Sequence, residues 1–280
     1  MKFIKNNGIR QTSPNLKNQS RAGWALAISL IISLLVFPVP SIMASVSGTN
    51  LSKMEAVLKE ARAVMDQNPP NQAKLHQTIA VLENYQAQFP EEIRFPLFLA
   101  EANYRLADPS GDVAKEFVHY EKTEFYAQKA MALDPNRTEA HYWHGLYLLK
   151  KAQKVGGIRA FFIVKNGIAE LEKVRQDMPA YDHAGASRVL GLLYCLAPGW
   201  TPFGNLDKSI ALGKEATHLA PDYMLNRLYL GNAYKKRGDK ADAIREYQAI
   251  LEAAANGPGD KAVNFSEQAR TKLRELGIPG

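Results

Sequence analysis

Asn226–Ala255 reads NRLYLGNAYKKRGDKADAIREYQAILEAAA. Leu230, Gly231 and Tyr234 fall within one turn of a first helix, Gly238 breaks it, and Ala243 and Tyr247 fall one turn apart on a second. This small-and-large alternation lets two antiparallel helices interlock, with a glycine where the backbones approach and an aromatic ring filling the gap beside it. One such hairpin cannot bury its own apolar face, so the pattern implies further copies stacked against it.

The rest of the chain supplies them. Apolar residues recur at helical spacing from about residue 51 to near the C-terminus, and no segment keeps the alternation of a strand. Pro90, Pro135, Pro179 and Pro221 each follow the end of a helical segment, at separations of 45, 44 and 42 residues. Proline lacks an amide proton and disfavours helical geometry in the residue before it, so each one closes a hairpin. The spacing exceeds the roughly 34 residues of the ordinary two-helix repeat. Five hairpins are expected: 51–66 with 72–88, 93–107 with 113–133, 138–154 with 158–177, 184–196 with 206–219, and 224–237 with 240–255. Asn68-Pro69-Pro70-Asn71 makes a longer turn in the first of them. A last helix near 265–276, capped by Ser266, would cover the exposed end. The expected fold class is all-α, an α-solenoid of about five hairpins over 51–263 with a C-terminal capping helix and tail over 264–280.

The 280 residues carry a net charge of +7. Lys2, Lys5, Arg10, Lys17 and Arg21 are the only charges in the first fifty, and without them 30 basic residues face 28 acidic ones. The basic balance belongs to the leader, and nothing points to nucleic acid. Ala22–Phe37 is an uncharged, mostly apolar run of sixteen, followed by Pro38, Pro40 and the small residues up to Ala44. That order is the one of a secretory signal over 1–44, with cleavage after Ala44 and a polar linker over 45–50. The alternative is an uncleaved inner-membrane anchor at 22–37, although the run falls short of the roughly 20 residues of a full span. Membrane contact is expected only through such an uncleaved segment. Cys195 is the single cysteine, which excludes intrachain disulfides and multi-thiolate zinc sites and suits an oxidising compartment. Export, to a bacterial periplasm, is the expectation.

The stretches EAHYWHGLYLLKKAQ, GGIRAFFIVKNGIAELEKV, YDHAGASRVLGLLYCLAPGW and LAPDYMLNRLYLGNAY follow in order between Thr138 and Lys236. Together with the final hairpin they resemble tetratricopeptide (TPR) repeats, and more narrowly the exported T-component associated with TRAP transporters. The resemblance covers the central and C-terminal portion and implies an exported helical protein that oligomerises and helps a substrate-binding protein take up small organic ligands. Unlike that family's lipoprotein members, this chain has no cysteine near its leader.

In such a superhelix the first helix of each hairpin lines the concave face. With Gly145, Gly191 and Gly231 taken as equivalent, the positions three before, one after and four after form a stripe: Tyr142, Leu146, Leu149; Arg188, Leu192, Cys195; Leu228, Asn232, Lys235. Contiguous apolar area on a concave face implies a cover. A partner protein or a hydrophobic small molecule would use Tyr142, Trp143 and Arg188 as anchors, with Trp143 and Trp200 as rim residues. The favoured alternative is self-covering, by the insert Ile158–Val164 or the Cys195–Phe203 loop, with Trp200 packing that loop down. Arg188, in an apolar helix, needs a carboxylate, and Asp182 or Asp222 is in reach.

Signals for an enzyme are weak. His141 and His144 share a helix face, but no acid or third histidine stands at a recognised metal spacing. His183 lacks a nucleophile in register, and no G-x-S-x-G, phosphate-binding glycine loop or HExxH occurs. Asp66, Glu83, Glu101 and Glu170 read as solvated helix faces. No catalytic residue, cofactor or metal is expected, and protein partners, including further copies of the chain, are.

Overall fold

The computed structural model describes residues 48–67, 71–107, 113–256 and 260–278. The leader, the cleavage position after Ala44, residues 45–47 of the linker and Asn68-Pro69-Pro70 lie outside them. The described residues form eleven α-helices and no strand: α1 (Gly48–Met65), α2 (Gln72–Gln88), α3 (Arg94–Leu106), α4 (Val113–Leu133), α5 (Thr138–Val155), α6 (Gly157–Asp177), α7 (Tyr181–Leu196), α8 (Leu206–Leu219), α9 (Met224–Arg237), α10 (Lys240–Asn256) and α11 (Asp260–Glu275).

Local chemistry sets many boundaries. Asn71 and Asn205 cap α2 and α8 by accepting from the Lys74 and Lys208 amides at 3.0 and 2.8 Å. Gly238 ends α9 in the left-handed conformation at φ 100°, its amide reaching the Tyr234 and Lys235 carbonyls. Phe89, Met178 and Ala220 are C-caps, each one residue before a punctuating proline.

From α2 onward each helix packs on the next, and α3 on α5, α7 on α9 and α9 on α11 pack across one intervening helix. That is the connectivity of a TPR-like α-solenoid of five hairpins with α11 closing the end. The glycine positions are contacts between helices. A β-carbon on Gly231 would stand 2.6 Å from Tyr247 Cε1, and one on Gly145 would stand 3.0 Å from Leu171 Cγ. One buried cluster joins Met54, Leu58 and Met65 of α1 to Leu75 and Leu82 of α2 and runs on to Leu190 and Leu212. A second holds Leu230, Tyr234, Tyr247 and Ile250 with Ala269 and Leu273 of α11.

Two expectations are corrected. Ser266 is no cap: α11 begins at Asp260, and Ser266 lies inside the helix with its side chain buried. Nor does α7 begin at 184: it runs from Tyr181, through a segment that is not ordinary helix. Asp182, His183 and Ala184 have φ of 47°, 56° and 59°, three successive non-glycine residues in the left-handed region. Such geometry costs about 1–2 kcal/mol per residue, so something outside the segment must hold it.

Candidate functional site

Arg188 and Asn226 hold that turn. Arg188 Nη1 donates to the carbonyls of Asp182 and His183, both at 3.0 Å, and Nη2 donates to Asp182 Oδ2 at 2.8 Å. Asn226 Nδ2, from α9, donates to the His183 carbonyl at 3.1 Å and to the Ala216 carbonyl at 2.9 Å. The His183 ring stacks on Tyr223 at 4.4 Å, and the Arg188 guanidinium sits 4.9 Å from the same Tyr223 ring centre. Of the two candidate partners for Arg188, Asp182 makes the ion pair.

Asp182 also accepts from Tyr142 Oη at 2.5 Å, and Arg105 Nη2 lies 3.6 Å from its other oxygen. One carboxylate therefore ties α3, α5 and α7 together. Burial, then the Asp182 charge, pushes the Tyr142 phenol well above its ordinary range and raises Tyr104 as well. Burial works against the Arg188 cation, but Tyr142 and Asp182 raise its pKa further, so it stays charged.

Above this knot the helices part. Among close backbone packings α3 meets α5 and α7 meets α9, whereas α7 approaches α5 through large side chains such as Tyr142 against Tyr181, with ring centres 5.2 Å apart. The gap is a groove of about 830 Å³. Tyr142, Trp143, Leu146 and Leu149 of α5 and Arg188 and Leu192 of α7 line it, so the fold brings these sequence-derived candidates together. Tyr104 and Arg105 of α3, Ala160 and Val164 of α6, and Tyr223, Leu225 and Tyr229 from the α9 end complete the wall. Its charged groups are Arg105, Lys150 and Arg188 against the single carboxylate of Asp182.

The remaining candidates lie elsewhere. Leu228 is buried in the C-terminal core, Asn232 accepts from Tyr247 Oη at 2.8 Å, and Lys235 pairs with Glu275. Cys195 is buried, its thiol raised by that burial. The ruler fails in α9, where Leu225 and Tyr229, six and two residues before Gly231, line the groove instead. It missed α3 because Ala100 stands where the other repeats have glycine. Leu99-Ala100-Glu101-Ala102-Asn103 parallels Leu230-Gly231-Asn232-Ala233-Tyr234, and that match was the available signal.

Self-covering is partial: Ala160 and Val164 of the insert and Leu196 and Ala197 of the loop join the wall but leave the groove open. The insert is the first turns of α6 and gives the groove wall only small or medium groups, while Ile158 and Phe162 point to solvent. Trp200 is neither plug nor rim: it is 88% exposed and absent from the groove lining. The acidic residues also need correction. Glu101 is buried and receives Arg62 at 2.9 Å and Arg105 at 3.0 Å. Glu83 accepts from Tyr126 Oη at 2.7 Å, and Glu170 meets His141 Nδ1 at 2.5 Å. Each of the three has a partner from another helix, Arg62, Tyr126 or His141, and Asp66 alone of the four keeps a mostly exposed carboxylate.

His144 Nδ1 contacts Glu124 Oε2 at 2.6 Å, and its Nε2 lies 3.8 Å from Glu170. Burial alone would lower its pKa, but the Glu124 contact and both negative charges outweigh that and raise it. The Lys173 ammonium, 2.9 Å from His141 Nε2, puts a positive charge beside this cluster. No group of three or more histidine, cysteine or acidic side chains arranged to hold a metal ion occurs among the described residues. No helix among them is long and apolar enough to cross a membrane.

No protein-family model matches this chain, and no curated protein gives a significant match. Solved structures do match. One described as "MamA RS-1 ArsTM double mutant" aligns at 21% identity with a TM-score of 0.45, over 73% of this chain and 98% of that one. A second, described as "Crystal structure of MamA protein", aligns at 18% identity with a TM-score of 0.42, over 72% and 94%.

Proposed function

We propose that this chain is an exported helical-repeat scaffold that works by binding, with the groove between α3, α5, α7 and α9 as its site. The observation that carries this reading is the groove itself. Its volume of about 830 Å³ lies within the usual range of ligand sites, and its wall combines aromatic and aliphatic side chains with a few fixed charges. A narrow apolar segment of a partner protein and an elongated apolar small molecule are the guests it suits. The role assigned to it is capture of such a guest.

A narrower reading, accessory ligand-binding component of a TRAP-type periplasmic system, is supported by the ordered motifs of Thr138–Lys236 and requires the small-molecule guest. A permease gene beside this one would favour it.

Native mass spectrometry of the protein from its own host tests the site, reporting bound guest, oligomer size and leader cleavage together. Leu192, half-buried in the wall, is the residue to change. Leu192→Asp should abolish guest retention while leaving the helical circular dichroism intact. Retention of the same guest by a folded Leu192→Asp protein would sink the reading.

A further inference from the structure

Two segments far apart in sequence build one apolar patch at an edge of the solenoid. The first is the α5–α6 turn. Gly156 and Gly157 both adopt positive φ there, with nothing within 4 Å of where their β-carbons would stand, so the turn stands clear of the body. Beyond it, Ile158 is 80% and Phe162 60% exposed. The second is the α7–α8 loop, where Leu196 is 63% and Trp200 88% exposed. Phe161 and Phe203, ring centres 5.2 Å apart, join the two.

The display is built. Both the Thr201 amide and its hydroxyl donate to the Pro198 carbonyl, at 2.9 and 2.7 Å, the Gly204 amide reaches the Thr201 carbonyl, and the Asn205 amide reaches Tyr194. A β-carbon on Gly204 would lie 2.2 Å from the Pro198 carbonyl oxygen, so the loop closes on itself only with glycine there. The hydrogen-bonded loop holds the Trp200 indole outward.

Along the two segments themselves the charge has one sign, and Asp207, which follows the second, is paired with Arg237. Residues 150–168 contain Lys150, Lys151, Lys154, Arg159 and Lys165 and no acid, and 195–206 contain no charge at all. The three α5 lysines lie over the rings of Tyr120, Tyr147 and Phe117, whereas Arg159 and Lys165 have no carboxylate partner among the described residues. Protruding aromatic tips on segments that carry cations and no acid are the composition of an interfacial membrane contact. A second copy is disfavoured, because a two-fold contact through the same patch would set these cations against each other.

We infer that this patch docks the folded domain on an anionic lipid surface, independently of the leader and of the groove reading. Leu196, Ala160 and Val164 also line the groove, so docking would hold its mouth beside the acyl chains.

The test mixes the full chain with vesicles of brominated phosphatidylglycerol and phosphatidylcholine and compares it with Trp200→Phe, which retains Trp24 and Trp143. A quenched emission component that Trp200→Phe removes is expected, with the melting curve unchanged. R159E/K165E, or vesicles of phosphatidylcholine alone, should weaken that component at least about tenfold in lipid titrations. Quenching that Trp200→Phe leaves unaltered, or a Trp200 component equally strong on neutral vesicles, overturns the inference. So does patch-dependent binding of an acidic protein or of a second copy with no quenching of Trp200.

Discussion

Arg188→Met asks whether one buried side chain holds the left-handed turn. Three residues in that region cost about 3–6 kcal/mol between them at about 1–2 each. Arg188 offsets this with bonds to two carbonyls and one carboxylate. Methionine keeps much of the alkyl volume but strands those oxygens. The Asp182 carboxylate keeps Tyr142 and Arg105, so the loss should lie at the low end of that for a broken buried pair, about 3 kcal/mol. For a domain of this size that lowers the melting temperature by about 6–12 °C. Hydrogen exchange adds the local readout, since the amides of 182–185 should lose protection before those of α10. Combining Arg188→Met with Asp182→Asn should cost at least about 1 kcal/mol less than the two changes summed. A loss under about 1 kcal/mol, with protection at 182–185 unchanged, would refute the view that Arg188 holds the turn.

Other outcomes follow from the same geometry. The folded-state pKa of His144 is raised, so its contribution is fully present below its unfolded value of about 6.5 and fades as pH rises through the folded value. Urea midpoints of wild type and His144→Gln should therefore converge as pH rises above about 6.5, and a gap that stays constant as pH rises would contradict the pairing with Glu124. Gly231→Ala presses a methyl into the Tyr247 ring and should destabilise by about 1–3 kcal/mol. Adding Tyr247→Leu should recover part of that loss in the same denaturation assay; no recovery would mean that the close approach is not the cause.

Helix positions were legible wherever a boundary is decided within a few residues. Asn71, Asn205 and Gly238 act on their own helix ends, and α2, α4, α8 and α9 run as the sequence suggests. The groove was half legible. Counting from Gly145 and Gly191 finds the α5 and α7 walls, but the same offset misses Leu225 and Tyr229 of α9 and does not see α3 behind Ala100. What escaped entirely depends on partners distant in the chain. Glu101 looks solvated until Arg62, 39 residues away, reaches it. The left-handed turn at 182–184, just where the helix was expected to begin, has no local signal and is held by Asn226 from α9. Trp200 defied both readings because a loop that satisfies its own backbone needs no ring to pin it.

The left-handed turn bears on modularity. Solenoid repeats can in principle be deleted, duplicated or exchanged, since each meets only its neighbours through similar surfaces. Here a single polar knot draws Arg105, Tyr142, Asp182, Arg188 and Asn226 from four different hairpins. The second to fifth hairpins are thereby welded into one inheritable block: inserting or removing a repeat inside it would strand a buried charge, whereas repeats could be added or lost beyond its ends.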